Sequence, residues 1–146
     1  MFRIGIIGAG WIAEKMCDAI APFTDIEIYA IASRTTEKAE AFAAEHNIGK
    51  AYGSYEEMVC DPDIDLVYIA TPHSHHYDHA MLALEHGKPV LVEKAFTANA
   101  RQAKELIETA RSKGLFITEA IWTRYMPLSH KVREIMESGI IGEPRV

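Results

Sequence analysis

The chain has 146 residues, of which 49% are hydrophobic and 25% charged, and its formal net charge at pH 7 is −6. This length suits one compact domain, and the acidic balance argues against the basic surface of a nucleic-acid-binding protein. The sequence shows no secretory leader and no apolar segment long enough to span a bilayer, and Cys17 and Cys60 form no C-x-x-C pair. We therefore expect a cytoplasmic protein with no nucleic-acid or membrane partner and no structural metal.

Short apolar segments alternate with longer amphipathic ones along the chain. Strands are predicted at Phe2–Ile7, Ile26–Ala32, Leu66–Ala70, Val90–Val92 and Leu115–Thr118. Helices are predicted at Trp11–Ala21, Glu37–Glu45, Tyr55–Val59, His75–Glu85, Ala100–Ser112 and Leu128–Ser138. Because nearly continuous apolar strands are buried on both faces, this alternation predicts a doubly wound parallel sheet of the α/β class. The tail "GIIGEPRV" resembles the start of one more strand.

A glycine-rich turn joins the first predicted strand to the first predicted helix. Gly8, Gly10 and Ala13 match the spacing G-x-G-x-x-A. The first glycine permits the tight turn, the second lets a pyrophosphate approach the backbone, and the small third residue lets helix and strand pack closely. The position of the pattern between strand and helix predicts a dinucleotide-binding site of Rossmann type. The alternative is a tight turn with no ligand.

The end of the second predicted strand carries Ser33 and Arg34 where dinucleotide-binding folds place the residue that contacts the adenosine ribose. NAD-binding proteins usually have Asp or Glu there, and a carboxylate would repel a 2′-phosphate. A serine donates to that phosphate and a guanidinium binds two of its oxygens. We therefore predict NADP as the cofactor, with NAD less favoured. The alternative is that Arg34 is an ordinary solvated loop charge.

Four histidines, His73, His75, His76 and His79, follow the strand Leu66–Ala70. Their spacing raises the question of a zinc site, but no cysteine or carboxylate nearby completes a ligand set. We therefore predict no metal. Polar residues at a helix N-terminus, one of them contacting the cofactor, account better for the cluster.

The motifs together resemble the N-terminal Rossmann domain of the Gfo/Idh/MocA oxidoreductase family. The resemblance rests on the glycine turn and on Thr71-Pro72-x-x-x-His76, Gly87-Lys88 and Glu93-Lys94. The segment "TEAIWTRYMP" is similar to the branch that contains dimeric dihydrodiol dehydrogenases and NADP-dependent xylose dehydrogenases. The resemblance covers nearly the whole chain.

The resemblance implies hydride transfer between NADP and a secondary alcohol, sugar or diol, with Lys94 as the catalytic residue beside the nicotinamide. The other cofactor-binding residues that it implies are Gly8, Gly10, Trp11, Ile12, Ser33, Arg34, Thr71, Pro72, His73, His76, Glu93, Trp122 and Arg124. Lys94 itself also belongs to this cofactor-binding set. Ala95 stands where the family often has a proline in a cis bond, so the backbone after Lys94 does not follow from the resemblance.

The expected organisation is a Rossmann domain over residues 1–120, followed by a bridge over residues 121–146. The bridge would lead to an α+β substrate domain that is absent from this chain. The resemblance implies a homo-oligomer in the full-length protein, and we expect the chain alone to bind cofactor without turnover. The alternative function is a non-catalytic module that senses NADP.

Overall fold

The computed structural model describes residues 1–143; Pro144, Arg145 and Val146 lie outside the described residues. Its strands are β1 Phe2–Ile7, β2 Ile26–Ala32, β3 Lys50–Tyr52, β4 Leu66–Ile69, β5 Val90–Val92 and β6 Ile117–Glu119. They form one six-stranded parallel sheet in the order β3-β2-β1-β4-β5-β6. The doubly wound α/β class predicted from the sequence is therefore confirmed.

Within the described residues, six helices connect or follow the strands. They are α1 Trp11–Ile20, α2 Thr36–His46, α3 Tyr55–Val59, α4 His76–Glu85, α5 Ala100–Lys113 and α6 Pro127–Glu137, with short 3₁₀ turns at His73–His75 and Trp122–Tyr125. Local chemistry sets several of their ends. The Ser54 side chain accepts from the N–H of Glu57 at the start of α3, and Asn99 accepts from Gln102 at the start of α5. Within residues 1–143, no helix is both long and apolar enough to cross a membrane.

Several predicted ends differ from the structure by one residue, and three predictions differ by more. The strand β3 was missed because it has only 3 residues and lies at the sheet edge, too short to show a periodic pattern. The strand β6 begins at Ile117 and not at Leu115, because the N–H of Leu115 donates to the carbonyl of Ala110 and closes the end of α5. The predicted tail strand is wrong over the described residues 139–143, which form a turn.

Apolar side chains pack on both faces of the sheet, as the continuous apolar strands predicted. On one face, Ile7 of β1 packs in a cluster with residues of α4 and α5, among them Leu84 and Leu106. On the other face, the neighbouring Ile6 packs with Phe42 of α2 and with residues of α1. Adjacent side chains of a strand point to opposite faces, so one apolar strand serves both clusters.

The helices cover the two faces unevenly. On the face of α1 and α2, Leu66 of β4 and Leu91 of β5 are only partly buried, and both line an open cleft. The helix α6 has no buried residue and exposes Leu128 and Val132 to solvent. An apolar surface of this kind is typical of contact with a further part of a protein.

A buried carboxylate ties the edge strand to the loop after α3. Asp61 accepts hydrogen bonds from Lys50 Nζ at 2.7 Å and from Tyr52 Oη at 2.6 Å. Burial alone would raise the pKa of Asp61, but these hydrogen bonds outweigh it and lower the pKa to about 2. The Lys88 ammonium donates to the backbone carbonyls of Asp61 and Ile64 and closes the same loop.

We expect Asp61→Asn to lower the free energy of unfolding at pH 7 by about 1–2 kcal/mol, because the ion pair with Lys50 is lost. A carboxyl whose pKa is depressed on folding stabilises above its unfolded pKa, so this contribution disappears as the pH falls from about 4 towards 2. Urea unfolding at pH 7 and at pH 3 measures both effects.

Asp18→Asn is the control for this prediction, since Asp18 forms an exposed pair with Lys15 and should change stability little. An unchanged gap between wild type and Asp61→Asn at the two pH values would contradict the assignment to the charged form of Asp61.

Candidate functional site

The turn after β1 depends on the absence of a side chain at Gly8. Its φ is +106°, and a Cβ there would lie 2.9 Å from both the Ala70 carbonyl oxygen and Thr71 Cγ2. The N–H of Gly8 donates to the carbonyl of Ala32 at 2.9 Å. The turn is therefore held against the ends of both β2 and β4, and only glycine fits there.

Gly10 begins α1 and faces open space. It caps the helix without a side-chain hydrogen bond, and a Cβ built on it meets nothing within 4 Å. Two residues into the helix, Ala13 is fully buried, so α1 packs closely on the sheet. A helix N-terminus whose first turn lacks a side-chain cap and lies beside open space suits an anion. The residues present therefore fit the diphosphate of a dinucleotide.

A cleft of about 480 Å³, here called the first cleft, opens at this turn. It lies at the carboxyl ends of β1, β2 and β4, where open parallel sheets bind their ligands. Its lining contains the cations Arg34 and Lys38 and no acidic side chain. The lining residues are Gly8, Ala9, Gly10, Trp11, Ile12, Ser33, Arg34, Lys38, Tyr55, Ala70, Thr71, Pro72, His75 and His79.

The cationic end of the first cleft is built at the end of β2. Ser33 is 3% exposed, and its N–H donates to the carbonyl of Tyr52 at 3.1 Å, while Arg34 is exposed. Thr35 caps α2 by accepting from the N–H of Lys38. A buried serine, an exposed guanidinium and a capped helix start are thus grouped where a negatively charged ligand group would be attracted.

A second cleft of about 750 Å³ runs along the partly covered face of the sheet, between α1 and the residues after β6. It shares Trp11 and Ile12 with the first cleft, so the two adjoin at the start of α1. Most of its lining is apolar. The predicted site residues Glu93, Lys94 and Trp122 lie in it.

Glu93 is held in place by Tyr68. The buried Tyr68 hydroxyl donates to Glu93 Oε1 at 2.6 Å, and the N–H of Lys94 donates to Glu93 Oε2 at 3.1 Å. Burial and the Glu93 carboxylate raise the pKa of Tyr68 well above its ordinary value, so its proton stays on the hydroxyl. The following peptide bond, Lys94–Ala95, is cis. Glu93 orients the strand end, and the exposed Lys94 side chain lies in the second cleft.

His76, which was predicted to border the cofactor, is buried and lines neither of the two clefts. Its ring is 0% exposed, with Nε2 2.8 Å from the Thr71 carbonyl and Nδ1 2.7 Å from the Ala95 carbonyl. Both partners are carbonyl oxygens, which accept from a ring N–H. His76 thus connects the end of β4 to the backbone just after Lys94.

Two further predicted residues lie outside both clefts. His73 is exposed on its 3₁₀ turn and contacts the edge of the His76 ring, and Arg124 is exposed beyond β6. A sequence position near a strand end does not specify what a side chain contacts, and here neither residue lines a cleft. The first cleft does bring together Gly8, Gly10, Trp11, Ile12, Ser33, Arg34, Thr71 and Pro72.

Four polar or aromatic side chains of the first cleft were absent from the predicted set. They are Lys38, Tyr55, His75 and His79. Lys38 could have been found from the sequence because it follows Arg34 by four positions. His75 and His79 could have been found because they belong to the cluster of four histidines. Tyr55 shows no such pattern. Among residues 1–143, no group of three or more His, Cys, Asp or Glu side chains is placed to hold a metal ion.

The chain belongs to the Gfo/Idh/MocA family, described as an oxidoreductase family with an NAD-binding Rossmann fold, whose model matches residues 2–120. It is 51% identical over 150 residues to a D-xylose 1-dehydrogenase (NADP⁺) of Hypocrea jecorina, covering 94% of this chain and 38% of that protein. It is 42% identical to a mouse trans-1,2-dihydrobenzene-1,2-diol dehydrogenase, covering 99% and 44% respectively. The chain therefore spans less than half the length of these curated relatives.

A similar solved structure is that of a 3-ketoreductase from Actinomadura kijaniata in complex with NADP. The TM-score is 0.90 at 32% identity, over 97% of this chain and 45% of that one. An NAD-binding oxidoreductase from Klebsiella pneumoniae matches with a TM-score of 0.89 at 34% identity, over 98% and 40%. These likenesses agree with the family assignment.

We expect His76→Leu to lower the free energy of unfolding by about 2–4 kcal/mol, because it leaves the Thr71 and Ala95 carbonyls without their buried donor. Urea denaturation followed by circular dichroism measures this loss. His86→Leu is the matched control at the exposed far end of α4 and should change stability by less than about 0.5 kcal/mol. Equal losses in the two variants would show that His76 has no special structural role.

Proposed function

We propose that this chain is the cofactor-binding part of an NADP-dependent oxidoreductase that transfers a hydride between NADP and a secondary alcohol, sugar or diol. The observation that carries the proposal is the first cleft, in which a glycine turn at a helix N-terminus leads to a cationic end without any carboxylate. The names of the xylose and dihydrodiol dehydrogenases and the NADP complex of the ketoreductase support it.

The proposed contacts follow the length of the first cleft. Gly8, Gly10, Trp11 and Ile12 would bind the diphosphate through backbone N–H groups of the turn and the first helical turn. Ser33 and Arg34, together with Lys38, would bind the 2′-phosphate that distinguishes NADP from NAD. The absence of an acidic side chain from this lining removes the group that would favour an unphosphorylated ribose.

The nicotinamide would lie where the two clefts meet. Thr71 and Pro72 border the first cleft beside Trp11, and Lys94 lines the second. NADP, when bound, supplies or accepts the hydride. The role we assign to Lys94 is to bind the reacting hydroxyl and to move its proton, and the role of Glu93, fixed by Tyr68, is to orient the strand end that carries Lys94.

Residues 121–146 are proposed to bridge the Rossmann domain, residues 1–120, to a substrate domain in a longer protein. Two observations support this: the curated relatives are more than twice as long as their matched parts, and α6 exposes an apolar stripe. The substrate domain would complete the wall of the second cleft and select the sugar or diol. Assembly as a homo-oligomer and a cytoplasmic location remain predictions of the resemblance and of the composition.

We expect Arg34→Ala to weaken NADP binding by about 10–100-fold and to leave NAD binding within about two-fold, because a charge-assisted hydrogen bond contributes about 1.5–3 kcal/mol. Calorimetric titration of each nucleotide measures this. Arg101→Ala, on the exposed surface of α5, is the control. Wild-type protein that binds NAD as tightly as NADP would overturn the assignment of the cationic end.

We expect Lys94→Met, made in the longer protein that contains this chain, to lower kcat by about 10²–10⁴-fold, because a proton-transfer group is lost. The Kd for NADP should stay within about three-fold, since Lys94 lies outside the first cleft. Steady-state kinetics with sugars and diols, alongside calorimetry, provide both values. Lys104→Met on the exposed face of α5 is the control.

Retention of most activity by Lys94→Met would mean that a group other than Lys94 transfers the proton of the reacting hydroxyl. Absence of any turnover in the wild-type longer protein, with NADP binding intact, would favour the alternative of a module that senses NADP without catalysis.

A further inference from the structure

Residues 94–98, here called the lysine segment, follow β5 without forming a helix or a strand. Three N–H groups of this segment, at alternate positions, donate to side chains rather than to backbone carbonyls. The acceptors are Glu93 for Lys94, Glu119 for Phe96 and Gln102 for Ala98. The path of the lysine segment, and with it the position of Lys94, therefore depends on side chains that accept hydrogen bonds.

Of these three acceptors, Glu119 is the one that comes from another strand. Glu93 directly precedes the lysine segment, and Gln102 lies nearby in α5. The Oε1 atom of Glu119 accepts from the N–H of Phe96 at 2.8 Å, across 23 positions of sequence. The parallel pairing of β5 with β6 sets Glu119 opposite Val92. The sheet itself thus brings this carboxylate to the end of β5.

The Glu119 carboxylate lies on a face of β6 that is otherwise apolar. Side chains alternate along a strand, so Glu119 shares its face with Ile117. Ile117 and Phe96 both pack against the buried cluster of α4 and α5. A partly buried carboxylate beside apolar neighbours needs a hydrogen-bond donor. Among the described residues, the N–H of Phe96 is the donor that it has.

We propose that Glu119 is a positioning residue for the reaction, because its hold on the Phe96 N–H fixes the place of Lys94 in the second cleft. The inference rests on the proposed function, since it takes Lys94 as the group that moves the hydroxyl proton. Such a group must lie within hydrogen-bond reach of the atom it acts on. A misplacement of about 1 Å can cost about 100-fold in rate.

The same contact joins two walls of the second cleft. Lys94 lines this cleft from the end of β5, and Trp122 lines it from the 3₁₀ turn after β6. Glu119 is the last residue of β6 and also borders the cleft. Its bond to Phe96 therefore sets the spacing between Lys94 and the Trp122 wall. Neither Glu119 nor Phe96 lines the first cleft, so cofactor binding should not depend on this bond.

The test compares Glu119→Met with Glu119→Gln in the longer protein that contains this chain. Methionine matches glutamate in length but is a weak acceptor, whereas the glutamine amide oxygen can still accept from Phe96. We expect Glu119→Met to lower kcat by about 10–100-fold, and Glu119→Gln to keep most of the wild-type kcat. The Kd for NADP, measured by calorimetry, should stay within about two-fold in both variants.

Hydrogen–deuterium exchange of peptides that cover the lysine segment tests the contact independently of turnover. Exchange should be about 10-fold faster in Glu119→Met, because the Phe96 N–H loses its acceptor, and should be close to wild type in Glu119→Gln. The matched control is Gln102→Ala, which removes the acceptor at the far end of the same segment. Its kcat should stay within about two-fold of wild type, since Gln102 lines neither cleft.

The outcomes separate this inference from the proposed function. Absence of turnover in the wild-type longer protein would overturn the proposed function, and this inference with it. Wild-type turnover with an unchanged kcat in Glu119→Met would overturn the inference alone. Equal losses of kcat in Glu119→Met and Glu119→Gln would assign the effect to the negative charge and would likewise overturn it.

A general structural role of Glu119 would give a different result. It would weaken NADP binding in Glu119→Met along with kcat, and that result would overturn the inference. Unfolding curves verify that each variant is folded. Glu119→Ser, whose side chain is too short to reach Phe96, replaces Glu119→Met if the latter does not fold. Failure of both to fold would assign Glu119 to stability and would overturn its proposed role in the reaction.

Discussion

The close packing of Gly8 against the end of β4 is the contact on which the arrangement of the first cleft depends. A Cβ at this position would lie 2.9 Å from the Ala70 carbonyl oxygen, so any side chain would push the turn away from β4. With glycine, β1 can end beside β4, and α1 begins immediately afterwards. The start of α1, the end of β2 at Ser33 and the end of β4 at Thr71 then line one cleft.

A second set of contacts holds the backbone around Lys94 from three directions. His76 of α4 bonds to the Ala95 carbonyl, Glu119 of β6 accepts from the N–H of Phe96, and Tyr68 of β4 donates to Glu93. Each contact joins residues that are far apart in the chain. The position of Lys94 is therefore set by the packing of neighbouring elements, and the same histidine that supports it also supports Thr71 in the first cleft.

The two clefts differ in how completely this chain encloses them. The first combines polar backbone, two cations and the rings of Tyr55, His75 and His79, all supplied by residues of the Rossmann fold. The second lies along an apolar sheet face that α1 covers on one side only. This difference matches the proposed separation of roles, in which the Rossmann domain binds the nucleotide and a further domain encloses the substrate.

The sequence by itself determined those structural features that can be recognised from a pattern within a short stretch of the chain. The apolar strands and the glycine turn follow from periodicity and from fixed spacings, because neighbouring residues decide backbone conformation. The sequence also indicated the cationic end at Ser33 and Arg34, since the end of a predicted strand defines that position.

Only the tertiary structure decided which way the side chains after those strand ends point. It placed His76 in the interior and left His73 outside the lining of both clefts, and it brought Tyr55 of α3 against His79 of α4. It also added the edge strand β3, whose 3 residues pair with β2. These features depend on contacts between elements distant in sequence, and no local pattern encodes which helix face meets which neighbour.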